Sequence, residues 1–327
     1  MRRIAPPLAL ATYAALSSAC SYVALDNASP EAAAITKLHW WMFWVLGAVG
    51  FLVMAAVAAA LSRRFARPAD DRQRMRAVAV ATGVSVLLLL VLLVASVVTG
   101  REVATPAGPD ALDIEITGHQ WWWEIRYPTA VPRDAVVTAN EIHVPVGRAA
   151  RLRLGSNDVI HSLWIPNVDG KRDLIPGRTN WLTFRPRRIG TFAGRCAEFC
   201  GYQHAKMGLL LVVQTPADFA LWLAQQRQPS AEPAEASLEH GRDVFLAGPC
   251  SACHTIRGTP AFGHKAPDLT HLASRATIAA ATLPNTTGHL AGWVVDPQRI
   301  KPGNRMPPNV LPSGDLLDLV AYLRSLR

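Results

Sequence analysis

The chain has 327 residues, is 50% hydrophobic and 17% charged, and carries a formal net charge of +9. That composition excludes a disordered polymer and an ordinary soluble domain, and the length leaves room for two domains plus extra segments. The charge is uneven, with 9 basic against 4 acidic residues up to Thr99, 14 against 12 up to Gln225, and 10 against 8 beyond. Most of the excess therefore sits in the most hydrophobic third, between apolar runs. A basic stripe on a folded surface, as nucleic acid would need, is not the pattern; a lipid bilayer is the partner this distribution fits. The five cysteines fall as one, two and two (Cys20; Cys196 and Cys200; Cys250 and Cys253). That is too sparse for a disulfide scaffold, so metal or cofactor chemistry is expected of them.

The N-terminus, MRRIAPPLALATYAALSSAC, pairs two arginines with a short apolar stretch and small residues before Cys20. It reads as an export signal over residues 1–20, because the apolar part is too short to span and contains Pro6 and Pro7. Small residues before Cys20 also make it a lipidation candidate, against plain signal cleavage or an uncleaved anchor; the intact mass of the mature chain separates these outcomes.

Trp40 to Leu61 and Ala77 to Val98 are each 22 residues without a charge. At 1.5 Å per residue each reaches about 33 Å, enough for a hydrocarbon core of about 30 Å, so residues 21–99 are expected to form a two-helix transmembrane hairpin. Between the runs, Arg63, Arg64, Arg67, Arg72, Arg74 and Arg76 face only Asp70 and Asp71. The positive-inside rule places this loop in the cytoplasm and both ends outside, with Trp40, Trp41 and Trp44 as outer interfacial anchors.

From about Asp110 the texture changes to short alternating or β-branched segments (LDIEITG, AVVTANEIHVPV, AARLRLGS, TNWLTFRP) punctuated by Gly, Pro and Asn. This predicts an all-β sandwich or barrel within residues 110–225, closed by a brief helix with Thr215 as N-cap and Pro216 in its first turn. Residues 226–237, QRQPSAEPAEAS, read as a linker with nothing to bury, about 37 Å long if extended. Residues 238–327 have helical spacing at both ends, in LEHGRDVFLAG and GDLLDLVAYLRSL, around long Gly/Pro loops. So small a core suits a module organised by a cofactor.

The segment CAEFCGYQHAKM carries Cys196, Cys200, His204 and Met207, and HSLWIPN adds His161. Two thiolates, two imidazoles and a thioether are a soft set suited to copper, and two sulfurs are more than one blue-copper ion normally takes. A two-copper centre bridged by both sulfurs is the natural fit; a disulfide between Cys196 and Cys200 is the bland rival. With GHQWWWEIRY and KRDLIPGR, these residues resemble subunit II of cytochrome c oxidase over most of Trp40 to Val213. The resemblance implies a cupredoxin-like β-barrel with a binuclear copper A site, in which Cys196 and Cys200 bridge, and His161, His204, Met207 and the carbonyl of Glu198 complete the shell. It also implies that the Glu198 side chain helps bind magnesium at the interface with subunit I, unless that residue contributes its backbone alone. Trp121 matches the family's first aromatic, the point where electrons arrive, with a packing role as its alternative. Along a strand Trp121 and Trp123 would share one face and Trp122 the other.

Cys250, Cys253 and His254 spell CxxCH, the c-type haem attachment motif. Met306, the only methionine after Met207, is the leading sixth ligand, ahead of His264, His271 and His289, and a thioether suits electron transfer. The module resembles a small all-α class I cytochrome c, with Gly241 and Phe245 of the first helix against Tyr322 of the last and the carbonyl of Pro267 orienting the axial histidine.

The combination resembles bacterial oxidases whose subunit II carries a fused cytochrome c domain. It implies an inner-membrane, multi-pass subunit with its copper and haem domains in the periplasm. Electrons from a c-type cytochrome or a bc complex would pass through haem c and copper A to subunit I, with subunit III as a further partner, and oxygen would become water in subunit I. Other classes compatible with the same motifs are the electron-input subunit of a nitric oxide or nitrous oxide reductase and a membrane-tethered carrier. One departure concerns protons: the family often carries a glutamate near the start of the second helix, whereas this chain has DDRQRMRAVAVATG. Asp70 and Asp71 are the substitutes, or else solvated loop charges.

Overall fold

A computed structural model describes residues 24–62, 70–131 and 134–327. Cys20 and the first three loop arginines lie outside the described residues. The two charge-free runs lie within longer helices, α1 (Pro30–Ser62) and α2 (Asp71–Val103), of 33 residues each. At 1.5 Å per residue each is about 50 Å long. The charge-free stretches mark only the part that matches hydrocarbon; nothing in the flanking Pro30–His39 or Asp71–Arg76 segments breaks the helix, so it continues. Trp41 and Val45 share a crevice with Val84, Leu88 and Leu92, so the helices pair as a hairpin. Trp40, Trp41 and Trp44 are exposed along α1.

The turn before α1 is sewn onto the β domain. Ala28 N–H donates to the Asn167 carbonyl at 2.7 Å, and the Ala28 carbonyl accepts from Arg187 N–H at 2.7 Å. Arg188 pairs with Asp26 at 2.6 Å. The N-terminal end of α1 is thereby fixed to the barrel, at the opposite end of α1 from Ser62.

Two five-stranded sheets form that domain. One has the order β3 (Val136–Ala139), β2 (Trp122–Tyr127), β1 (Leu112–His119), β5 (Ala150–Ser156), β8 (Asn180–Phe184). The other runs β4 (Glu141–Pro145), β10 (Gly208–Gln214), β9 (Gly190–Cys196), β6 (His161–Trp164), β7 (Arg172–Leu174). Strand β1 pairs β5 in parallel, as β4 pairs β10, and the other pairings are antiparallel. Alternation along β1 turns Ile114 and Ile116 inward, where they meet Leu152, Leu154, Ile142, Leu209 and Leu211 in one core. Helix α3 (Pro216–Arg227) follows with Thr215 as N-cap, its hydroxyl accepting from Asp218 N–H at 3.1 Å, as expected.

A second core belongs to the C-terminal module. It is built on α4 (Ala236–Ala247), α5 (Thr287–Val295), the single turn α6 (Pro297–Ile300) and α7 (Ser313–Ser325), beside a short hairpin of β11 (Thr277–Ile278) and β12 (Leu283–Pro284). Phe245 and Tyr322 are both buried there. A Cβ on Gly241 would lie 2.1 Å from the Asp318 carbonyl oxygen and 2.9 Å from Tyr322 Cβ, so only glycine lets α4 cross α7 this closely. Because the obstruction is backbone, Gly241→Ala is expected to destabilise the module by about 1–3 kcal/mol, the scale of overpacking. The check is a lower unfolding midpoint of the C-terminal module, with the β domain unchanged.

The linker departs from the sequence expectation. Gln226 is buried, Ser230 N–H donates to the Arg257 carbonyl at 2.9 Å, and His271 Nε2–H donates to the Gln228 carbonyl at 3.0 Å. Its first half is held by Arg257 and His271, 27 and 43 positions on, which no local pattern could reveal.

Candidate metal and haem sites

The metal-type side chains gather at one end of the barrel because of how the strands are joined. His161 opens β6, Cys196 closes β9, and the β9–β10 connection carries Cys200, His204 and Met207. Its base is closed by Cys196 N–H donating to the Met207 carbonyl at 2.9 Å and tied to β6 by Ala197 N–H donating to the Ser162 carbonyl at 2.9 Å. Cys196 Sγ lies 3.7 Å from Cys200 Sγ, 3.9 Å from His161 Nδ1 and 3.2 Å from the Glu198 carbonyl oxygen. Cys200 Sγ lies 3.6 Å from His204 Nδ1 and 3.8 Å from Met207 Sδ. Both cysteines are free, their sulfurs well beyond the about 2.05 Å of a disulfide.

The electrostatics favour a soft cation. A hydrogen bond from Cys200, then one from His161, overcome burial and hold the Cys196 thiol down to about 3. The same partnership and burial push Cys200 up. Metal ions bind thiolates, so binding here would release the protons the pair holds.

His161 is completely buried, and its ring occupies space that a side chain on β1 would fill: a Cβ on Gly118 would sit 2.7 Å from His161 Cδ2. Its Nε2 lies 2.9 Å from Asp158 Oδ1, which leaves Nδ1 toward the sulfurs. Burial lowers the His161 imidazole, but Cys196 and Asp158 outweigh it and hold it above its ordinary value. Asp158 also accepts from Gln120 N–H at 2.7 Å and Val159 N–H at 2.8 Å. Burial alone would raise its carboxyl; hydrogen bonds led by the one to His161 bring it below the usual range. Sequence reasoning missed Gly118 and Asp158; their signals were the Gly-His pair of GHQWWW and an aspartate three residues before His161.

Trp121 and Trp123 are buried and Trp122 is half-buried, stacked on His119 at 4.3 Å; only Trp122 and Trp123 alternate along β2, because Trp121 lies in the turn before it and is buried by the loop of Cys200 instead. Trp121 Nε1–H donates to the Cys200 carbonyl at 2.9 Å, as does Gln120 Nε2 at 2.8 Å. The Glu198 carboxylate is half exposed and lies 2.9 Å from Lys171 Nζ, which also reaches Asp173 at 3.4 Å. Lys171 is a partner the sequence did not offer.

In the C-terminal module α4 runs into a 3-10 turn at Pro249–Ala252, which presents Cys250, Cys253 and His254 in succession. Both cysteines are free and half-buried. His254 Nδ1–H donates to the Pro267 carbonyl at 2.7 Å, leaving Nε2 for an iron. Burial pushes this imidazole down, toward the neutral form that ligates metals. Met306 is half-buried in a loop fixed by its own backbone: its N–H donates to Asn304 Oδ1 at 2.8 Å and its carbonyl accepts from Gln298 Nε2 at 2.7 Å. Its histidine competitors have other partners, His271 on Gln228, His289 on Thr286 at 2.9 Å, and His264 beside Thr255 at 3.5 Å. The donors fit copper at the first site, and the free CxxCH thiols with an oriented imidazole fit haem at the second.

Two families match in tandem. Cytochrome C oxidase subunit II, periplasmic domain, matches residues 132–215, and Cytochrome c matches residues 238–327. Cytochrome c oxidase subunit 2 of Alkalihalophilus pseudofirmus is 32% identical over 317 residues, covering 93% of this chain and 90% of the relative. The chain belongs to the cytochrome c oxidase subunit II family. The Bacillus subtilis protein of the same description is 29% identical over 229 residues, covering 67% of this chain and 63% of its own. The solved periplasmic domain of subunit II from Bradyrhizobium japonicum is 31% identical and covers 37% of this chain and 97% of its own, with a TM-score of 0.35. Membership makes this chain the electron-input subunit of a cytochrome c oxidase, an oxidoreductase complex in which it partners subunit I. Copper A and haem are its cofactors. It is an inner-membrane protein with a periplasmic domain.

Proposed function

We propose that this chain accepts electrons from a c-type cytochrome or a bc complex, and that Cys250 and Cys253 would attach a haem for which His254 and Met306 would be the ligands. Cys196, Cys200, His161, His204, Met207 and the Glu198 carbonyl would hold the copper pair, and the electrons are destined for subunit I. The observation that supports this most is the shell of soft donors 3.6–3.9 Å from one or other of the two thiol sulfurs. Copper and haem supply one-electron chemistry when bound; the chain supplies ligand geometry, exclusion of water and fixed spacing. Asp158 orients His161, the Pro267 carbonyl orients His254, and Trp121, bonded to the Cys200 carbonyl, is the residue through which electrons reach copper.

Finer assignments follow from the same reading. The chain divides into a signal over residues 1–20, a hairpin over 21–99, a copper domain over 110–225, a linker over 226–237 and a cytochrome c domain over 238–327. The hairpin crosses the membrane twice with its arginine-rich turn in the cytoplasm, and subunit III joins the complex. Magnesium at the subunit I interface would bind Glu198, where it must displace the ammonium of Lys171. Asp70 and Asp71 are exposed charges at the N-terminus of α2, Asp71 loosely paired with Arg74 at 3.8 Å, which supports the solvated reading over a proton-uptake role.

Purification of the tagged chain from membranes tests the assignment. Co-purification of a subunit I bearing haem and copper is expected, with oxygen consumption on reduced cytochrome c. A partner with non-haem iron would replace this reading by a nitric oxide reductase, and the lack of a stable partner by a tethered carrier.

A further inference from the structure

An electron must cross from the haem module to the copper module, and a linker of this composition would let the haem module swing on a tether. The boundary between the modules is instead made of buried, directional contacts. Lys301 is 2% exposed, and its amino group donates across the boundary to the Trp121 carbonyl at 2.8 Å while also reaching the Ala279 carbonyl at 3.3 Å. A buried amine is costly unless oxygens receive its protons, so this residue fits its surroundings only while the modules are together.

Other contacts act in the same sense. Glu141, buried at the start of β4, accepts from the N–H groups of Ala276 at 2.7 Å and Thr277 at 3.2 Å. Gly208 N–H, at the start of β10, donates to the Ala280 carbonyl at 3.0 Å. That carbonyl belongs to a turn in which Ala279, Ala280 and Ala281 have φ of 54°, 58° and 55°. Left-handed alanines are sterically unfavourable and persist where surrounding contacts hold them, here contacts from the copper module.

The segment that carries Lys301 also carries Met306, five residues on. Between them Arg305 lies 3.8 Å from Asp158, the residue that holds His161. Trp121, on which Lys301 rests, holds the Cys200 carbonyl. One short loop therefore links the proposed iron ligand to the supports of two proposed copper ligands.

We propose that Lys301 is a positioning residue for internal electron transfer, clamping the Met306 loop onto Trp121 so that the haem module works from one docked position and does not swing on its linker. The inference rests on the haem and copper assignments above. The transfer moves one electron from ferrous haem to the oxidised copper pair, leaving ferric haem and a copper pair reduced by one electron, with no bond or proton exchanged.

The test uses the whole oxidase, with haem c reduced by a pulse and the copper followed in the near-infrared at increasing glycerol viscosity. Wild-type transfer is expected to be independent of viscosity; a rate that falls with viscosity overturns the docked position, whatever any variant does. Lys301→Met keeps an apolar side chain of similar length and removes the donor. It is expected to slow transfer roughly 10- to 100-fold, the scale on which small misplacements of reacting groups cost rate, and to make it viscosity-dependent. Hydrogen exchange gives a readout independent of electron transfer: the amides of Gly208, Ala276 and Thr277 should exchange at least about tenfold faster in Lys301→Met, with the barrel strands otherwise unaffected. A variant of lower thermal stability that transfers at the wild-type rate, with those amides still protected, reduces Lys301 to a structural role and overturns the proposal. Failure of the underlying assignments is distinguishable, since wild-type haem and copper spectra would already disagree with them.

Discussion

Cys196→Ser is expected to abolish the near-infrared absorption of the copper pair and to reduce bound copper from two ions per chain to one at most. Cys196 Sγ stands between Cys200 Sγ at 3.7 Å, His161 Nδ1 at 3.9 Å and the Glu198 carbonyl at 3.2 Å, so none of these neighbours can take over its place. A serine hydroxyl is a hard, protonated donor where a thiolate is needed, and what remains is a Cys/His/Met set suited to a single copper. The loss should exceed the roughly 10–100-fold in metal affinity that follows removal of a mere outer partner of a ligand. Because the change is nearly isosteric and the loop keeps the bond from Cys196 N–H to the Met207 carbonyl, the circular dichroism of the β domain should be unchanged. Copper quantification with near-infrared spectroscopy on the purified complex is the measurement. An unchanged spectrum would remove Cys196 from the site.

Most of the proposed ligands could be picked out in the sequence because their chemistry is local. Cys196, Cys200, His204 and Met207 fall within one loop, and CxxCH is a single turn of chain, so spacing alone carries most of the geometry. What spacing cannot carry is a contact made by folding. Lys301 meets Trp121 across 180 positions of sequence, and a lysine five residues before a methionine has no pattern that distinguishes it from a solvated one. That the linker would have nothing to bury failed as an expectation for the same reason: Gln226 is buried, and its carbonyl accepts from Arg257, 31 positions on. Glu198 shows the intermediate case. Its carbonyl was implied by the family resemblance, while the partner of its side chain, Lys171, came into view only when β6, β7 and β9 were side by side. The helices were read correctly in kind and too short in extent, since the absence of charge marks where a helix is apolar and says nothing about where it ends.

Met306→Ala is expected to lower the reduction potential of haem c and shift its reduced spectrum away from that of a six-coordinate, low-spin haem. A thioether raises haem potential, and axial ligation as a whole spans about 0.8 V, so a fall on the order of 0.1 V or more is anticipated. For a one-electron couple, 59 mV is tenfold in equilibrium constant, so a fall of about 0.1 V is roughly 50-fold. The sign decides the phenotype. A lower potential makes the haem a stronger donor to copper but harder to reduce, so the step that suffers is uptake from the external donor. Oxygen consumption driven by a c-type cytochrome should therefore fall steeply, while transfer from pre-reduced haem to copper keeps or gains driving force. Position is preserved in this variant because the Met306 loop is fixed by Gln298, Asn304 and Lys301 and not by the methionine side chain. Redox titration of the purified complex, together with the reduced spectrum, checks the expectation. An unchanged potential and spectrum would transfer the sixth position to His264, His271 or His289, and would require the one chosen to give up the hydrogen bond it now makes.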